Sequence, residues 1–179
     1  SESVRHNCGF CVGHTLHDVY SFIKSLQHRG REAAGIAAVG ESSIDAIKWA
    51  GSVDRFDVTD LHKIFPSPRY HTYMAHVRYA TSGRKDEILK DAHPHTLGGH
   101  IEDRGTHHQI RDCEIVAVHN GQIDQCFFPD VDLYAMQYRC DTEALLYLYR
   151  REGEHSLLKN IHGAYTMAIA DRRKRDVMV

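Results

Sequence analysis

Cys8 and Cys11, in "RHNCGFCVGH", stand three positions apart near the start of the chain. Two thiols at i and i+3 can close a disulfide or share a metal. Either thiol, as a thiolate, can instead act alone as a nucleophile toward a carbonyl. The dithiol reading requires a buried strand before the motif and a helix that starts at it. Only seven mostly polar residues precede Cys8, and the first helical pattern begins later. The nucleophile reading places one cysteine at a chain end, where a free α-amino group of pKa about 7.7–8.0 is poised to take the thiol proton.

Two further groups carry potential chemistry. The 15 histidines concentrate around "DAHPHTLGGH" and "GTHHQI", residues 91 to 110. A metal site needs three or four ligands converging with defined geometry, and their spacing gives none, so this stretch reads as a polar, His-rich surface loop. "HNG", residues 119–121, is the second group. An Asn-Gly pair is the strongest short hairpin signal, and "IVAVHNGQID" satisfies it. A tight turn is also one way to present a backbone N–H to a ligand.

The elements that must carry these residues alternate along the chain. Leu16, Val19, Tyr20, Ile23 and Leu26 recur with helical spacing, predicting an amphipathic helix over 16–28 that His28 and Arg29 favour at its C-terminal end and Gly30 stops. "AGIAAVG" (34–40) reads as a buried strand, and "SIDAIKWAG" (43–51) as its hairpin partner. "TDLHKIF" predicts a short helix capped by Thr59 or Asp60 and ended before Pro66. Strands are expected at 70–79 and 114–124, and a helix at about 142–151 behind Asp141 or Thr142. "GAYTMAIADRRKRDVMV" predicts a strand, a charged turn and another strand, with "RRKR" solvated at the tip. A strand at the last residue leads us to expect that the sequence is a fragment, C-terminally incomplete, or that a following segment completes the fold.

Composition removes several function classes. At 179 residues with 42% hydrophobic content, the chain suits one domain with a real core. With 22 Lys+Arg against 24 Asp+Glu, the net charge of -2 gives no field for nucleic acid or an anionic membrane. No apolar run approaches the ~18 residues of a membrane span, and no signal-peptide core precedes Cys8, so a soluble, cytoplasmic protein is expected. Five scattered cysteines do not make a disulfide framework.

Five segments, "CGFCVG", "LQHRGREAAGI" (26–36), "HVRYATSG" (76–83), "HNG" and "CDTE" (140–143), followed by "GAYTMAIAD", resemble in order and spacing the glutaminase domain of class II glutamine amidotransferases. The second and third look most like amidophosphoribosyltransferase, the family that opens purine synthesis. "AHPH" (92–95) and "VHNG" are instead similar to glucosamine-6-phosphate synthase, and the "RGPD" pattern of asparagine synthetases is absent.

The resemblance implies an α+β fold, the four-layer α-β-β-α sandwich of N-terminal nucleophile hydrolases, over residues 8–179. It implies that Cys8, followed by Gly9, attacks the glutamine side-chain amide, with Cys11 a small buried hydrophobe. It makes the Asn120 amide and the Gly121 N–H the oxyanion donors, and sets Arg29 near the nucleophile. It gives Arg78 the substrate α-carboxylate and Asp141 the α-ammonium, with Thr81 a further substrate contact and 81–91 a loop that closes over glutamine. Asp141 alternatively caps a helix, Thr81 is a turn hydroxyl, and Arg29 is a helix C-terminal cation. Departures are Cys140 where Ser is common, Gln122 where Asn is common and Val12 where Gly is common.

Because the sequence begins at Ser1, residues 1–7 are expected to be a propeptide released at the Asn7 carbonyl. The implied partners are glutamine and a synthase domain or subunit that receives ammonia, in a full-length homo-oligomer, with no cofactor and no metal in this domain. Phosphoribosyl pyrophosphate is the expected acceptor. The rival readings are the glutaminase of another amidotransferase such as glucosamine-6-phosphate synthase, an unprocessed regulatory module of the same fold, and a metal or redox protein.

Overall fold

The computed structural model describes residues 8–27, 32–79, 85–126, 140–174 and 176–179. Its strands are β1 (Gly9–Gly13), β2 (Ala33–Gly40), β3 (Ile44–Ala50), β4 (Tyr70–Arg78), β5 (His95–Leu97), β6 (His100–Asp103), β7 (His107–Arg111), β8 (Ile115–Cys126), β9 (Ile161–Asp171) and β10 (Val177–Met178). The helices are α1 (Leu16–Ser25), α2 (Val58–Ile64), α3 (Lys85–Asp91) and α4 (Asp141–Asn160). One antiparallel sheet runs β1-β4-β2-β3-β7-β6, and a second runs β10-β9-β8-β5.

Strand periodicity explains how these stack. In β2, Ala34, Ile36 and Ala38 join a core with Leu16, Val19 and Ile23 of α1 and Leu61 of α2. The alternate residues Ala37 and Val39 turn the other way and meet Val116 and Val118 of β8 and Ala168 and Ala170 of β9. Ile115 and Ala117 of β8 then face Leu145, Leu148 and Tyr149 of α4. Helices, sheet, sheet and helix thus form the four expected layers. "AGIAAVG" is apolar throughout because both its faces are covered.

Several expected boundaries move. The first helix ends at Ser25 with Leu26 as C-cap and Thr15 as N-cap, and its expected stop at Gly30 lies outside the described residues. The cap of α2 is Asp57, whose carboxylate accepts from the Asp60 N–H at 2.8 Å, rather than Thr59 or Asp60. For α4 the N-cap is Cys140, with no side-chain cap bond, and the helix runs to Asn160 across a break at Gly153 (φ 79°, ψ 171°). A glycine tolerates that φ, so helical residues resume beyond it.

The His-rich stretch is not a surface loop: 95–97, 100–103 and 107–111 are all strands. The latter part of the expected closing loop, 85–91, is α3, and 80–84 lie outside the described residues. In the charged turn after β9, the Arg173 guanidinium folds back on Asp171 at 2.8 Å. Among the described residues no helix is long and apolar enough to cross a membrane.

Candidate active site

Four of the seven residues singled out from the sequence meet. Cys8, Asn120, Gly121 and Asp141 line one open cavity of about 950 Å³, with His93, His119, Gln122, Cys140, Thr142 and Ala164. Cys8 arrives at the leading end of β1, which pairs with β4 in the register Gly9↔Val77. Continuing that register by one residue sets Arg78 across from Cys8. The Cys8 carbonyl accepts from the Asn120 side-chain amide at 2.8 Å, tying the first sheet to β8 of the second. A carboxamide nitrogen carries two hydrogens, so this bond uses one and leaves the other for a ligand.

Asn120-Gly121 is not a hairpin turn, because it falls inside the twelve-residue strand β8, paired as Asn120↔Thr166 and Gly121↔Tyr165. Gly121 has φ 113°, and a Cβ there would lie 2.1 Å from the Ala164 carbonyl oxygen. The glycine is required by both the backbone conformation and the close approach of β9.

Asp141 opens α4 but does not cap it. Its Oδ2 accepts from the Ile123 N–H of β8 at 3.2 Å. Arg78, at the end of β4, is not among the cavity-lining residues. Its Nε is 3.7 Å from Glu32 and its Nη1 is 3.7 Å from Asp91, both longer than a hydrogen bond. Burial holds the Glu32 carboxyl above its usual range, partly opposed by Arg78. Arg29, Thr81 and the expected propeptide 1–7 lie outside the described residues.

Cys11 does not share this cavity. Residues three apart on an extended chain face opposite sides, so Cys8 and Cys11 cannot act as a dithiol pair there. The Cys11 thiol packs against the core under α1, and burial pushes its pKa up to about 12. Among the described residues no cluster of three or more His, Cys, Asp or Glu is arranged to hold a metal.

The histidines produce the main correction. His76, His95 and His119 are 1%, 6% and 6% exposed, and half-buried His93 stacks on His76 with ring centroids 4.0 Å apart. Burial lowers all four pKa values, those of His76 and His95 to about 3, so the cluster is neutral near pH 7. The Thr142 hydroxyl sits between His93 Nε2 at 2.9 Å and His119 Nδ1 at 3.2 Å. Cys140 Sγ is 3.5 Å from His95 Nε2. His93, His119 and Thr142 were not site candidates on the sequence. "AHPH" and "VHNG" carried the signal, but histidine periodicity has no template that separates a buried cluster from a polar loop.

These histidines make stability depend on pH in a defined direction. Their folded pKa values lie below the unfolded value of about 6.5, so their stabilising contribution is complete above that pH and is lost as pH falls toward the folded values. Between pH 7.5 and 5.5, above the carboxylate range, His76 and His95 should each remove on the order of 1 kcal/mol from the unfolding free energy. Urea unfolding at the two pH values measures it. Equal midpoints would mean that these rings are not buried in the neutral form.

The chain is 29% identical over 177 residues to glutamine–fructose-6-phosphate aminotransferase [isomerizing] of Thermotoga maritima, covering 92% of this chain and 26% of the relative. The Rhizobium meliloti and Pyrobaculum aerophilum enzymes of the same name are 28% and 27% identical, over 82% and 83% of this chain. The chain spans about a quarter of the length of these curated relatives. No family model matches the chain. Among solved structures, the glutamine phosphoribosylpyrophosphate amidotransferase from B. subtilis superposes with a TM-score of 0.58 at 22% identity, over 93% of this chain and 35% of its own. A structure described as the allosteric regulatory enzyme of purine biosynthesis gives 0.56 at 23% identity. The chain is thus similar in sequence, over nearly its whole length, to a part of these aminotransferases, and it shares the four-layer α+β fold of the B. subtilis amidotransferase over the same span.

Proposed function

We propose that this domain hydrolyses the side-chain amide of glutamine to glutamate and ammonia, with Cys8 as an N-terminal nucleophile exposed by removal of residues 1–7. The observation that carries the reading is the convergence of Cys8, Asn120-Gly121 and Asp141 on one cavity from three distant segments. The Cys8 α-amine takes the thiol proton, and Sγ adds to the amide carbon. The resulting oxyanion is met by the second Asn120 hydrogen and the Gly121 N–H. The same amine returns the proton to the departing nitrogen, leaving a thioester and ammonia, and water then releases glutamate. Asp141 takes the α-ammonium. Arg78 takes the α-carboxylate, whose fork can offer it shorter contacts than the 3.7 Å ones to Glu32 and Asp91. Arg29 and Thr81 complete the site on the family pattern, and the domain needs no cofactor or metal.

Ammonia then passes to a synthase part of the full-length, cytoplasmic homo-oligomer. The acceptor is phosphoribosyl pyrophosphate, a reading supported by "LQHRGREAAGI" and "HVRYATSG" and by the named function of a fold relative. Fructose 6-phosphate is the second reading, favoured by the curated relatives and by "AHPH". The test is a form beginning at Cys8, given glutamine and assayed for glutamate and ammonia. Equimolar release is expected, and no release from that form would end the proposal. The full-length protein supplied separately with phosphoribosyl pyrophosphate and fructose 6-phosphate distinguishes the acceptors.

Arg78→Lys keeps the charge but loses the two-pronged geometry. It should raise KM for glutamine by about 10- to 100-fold with a smaller change in kcat. Steady-state kinetics measure this, and an unchanged KM would remove Arg78 from substrate binding.

A further inference from the structure

Residue 119 is held from two sides. Its carbonyl oxygen lies 3.2 Å from His76 Nε2, which must be the donor because a carbonyl only accepts. Its ring is held by the Thr142 hydroxyl, which also reaches His93. His93 is itself fixed by backbone packing, since a Cβ on Gly35 would fall 1.9 Å from the His93 carbonyl oxygen. That glycine lets the 93–94 segment lie directly on β2.

Two bonds therefore stitch the start of α4 to β8. Asp141 bonds to Ile123, and Thr142 bonds to His119. The two attachment points bracket residues 120–122, which contain the positive-φ Gly121 and lie beside a register irregularity at Ile123/Gln125. The positive φ at Gly121 and the register irregularity just beyond it interrupt the regular pleat, so the bonds from α4 add to what the β9 ladder alone fixes there. Thr142 is 1% exposed and its hydroxyl has one hydrogen, so it donates to one imidazole and accepts from the other. Only neutral rings with complementary tautomers satisfy it, which the depressed pKa values of His93 and His119 allow.

We propose that Thr142, clamped between His93 and His119, is a positioning residue that sets the separation between Asp141 and the Asn120-Gly121 pair. Resting on the glutaminase reading above, it fixes the span between the groups that hold the α-ammonium and the groups that meet the reacting carbonyl. The hydroxyl touches no substrate; it acts through Asp141.

A double-mutant cycle and an amide probe test this. Thr142→Val should lower kcat/KM for glutamine about tenfold in the form beginning at Cys8, but less than about twofold in an Asp141→Asn background. Thr142→Ser should restore most of the activity. In the 1H-15N spectrum of the same proteins, the Ile123 amide should move upfield and exchange faster in Thr142→Val and stay in place in Thr142→Ser. If Thr142→Val does not fold, His93→Phe removes the hydrogen bond from the other end while keeping the stack on His76. Additive losses in the cycle, or an unmoved Ile123 amide, overturn the proposal. A parent form that releases no ammonia overturns the glutaminase reading instead, and the Ile123 amide still judges the clamp.

Discussion

Replacement of Cys8 by alanine is expected to reduce glutamine hydrolysis to background, while Cys11→Ala leaves most of it. The two thiols differ in everything that matters to a nucleophile. Cys8 lies at the wall of the cavity, its carbonyl bonded to the Asn120 amide that would meet the oxyanion. Cys11 is turned toward α1, with its Sγ 3.7 Å from the Val19 carbonyl and its pKa pushed up to about 12. Almost no thiolate exists there near pH 7, and a buried thiol is chemically inert. Cys8→Ser should also be inactive or nearly so, since a hydroxyl is a far weaker nucleophile than a thiolate. Cys11→Ala should cost roughly 1 kcal/mol of stability as a small core truncation, so activity must be compared at equal folded fraction. Rates of glutamate formation measure the contrast, and equal loss from both substitutions would support a dithiol site.

Removal of residues 1–7 is expected to raise activity by at least about 10²- to 10⁴-fold. While Asn7 is attached, the Cys8 nitrogen is an amide whose lone pair is delocalised, so it cannot take the thiol proton. General-base assistance of that kind is typically worth about 10²- to 10⁴-fold. The upstream segment would also compete with glutamine for the space beside Cys8. A form beginning at Met-Cys8, from which an aminopeptidase can expose the cysteine, should be active at once. The Ser1 form should gain activity only as its mass falls by those seven residues. Intact mass and rate followed together decide it: homogeneous uncleaved protein working as fast as the trimmed form would mean that the α-amine is not the base.

Much of the fold was legible because strand and helix periods are local. The apolar run at 34–40, the hairpin with 44–50 and the helical spacing of Leu16, Val19 and Ile23 each survive as elements, with ends displaced by a few residues. Helix ends moved because several adjacent polar residues can cap: Asp57 won over Thr59 and Asp60, and Cys140 stands at the cap position with no side-chain bond. The segments "CGFCVG", "HNG" and "CDTE" single out Cys8, Asn120, Gly121 and Asp141 as candidates, and these four line one cavity.

What the sequence determined by itself was chemical identity: a Cys-Gly pair with no dithiol context, an Asn-Gly pair, an acid at "CDTE" and a net charge of -2 that offers no field to polyanions. Tertiary structure decided which of two local meanings each residue takes. Asn-Gly has equal local claim to a hairpin, and only the approach of the Ala164 carbonyl across the β8-β9 ladder makes Gly121 an interior strand residue at a cavity wall. The histidines of 93–95 read as a polar loop until β4, β8 and α4 close around them and desolvation makes them neutral. Burial and long-range pairing are properties of segments far apart in the chain, such as Thr142 and His93, and no window of sequence contains both.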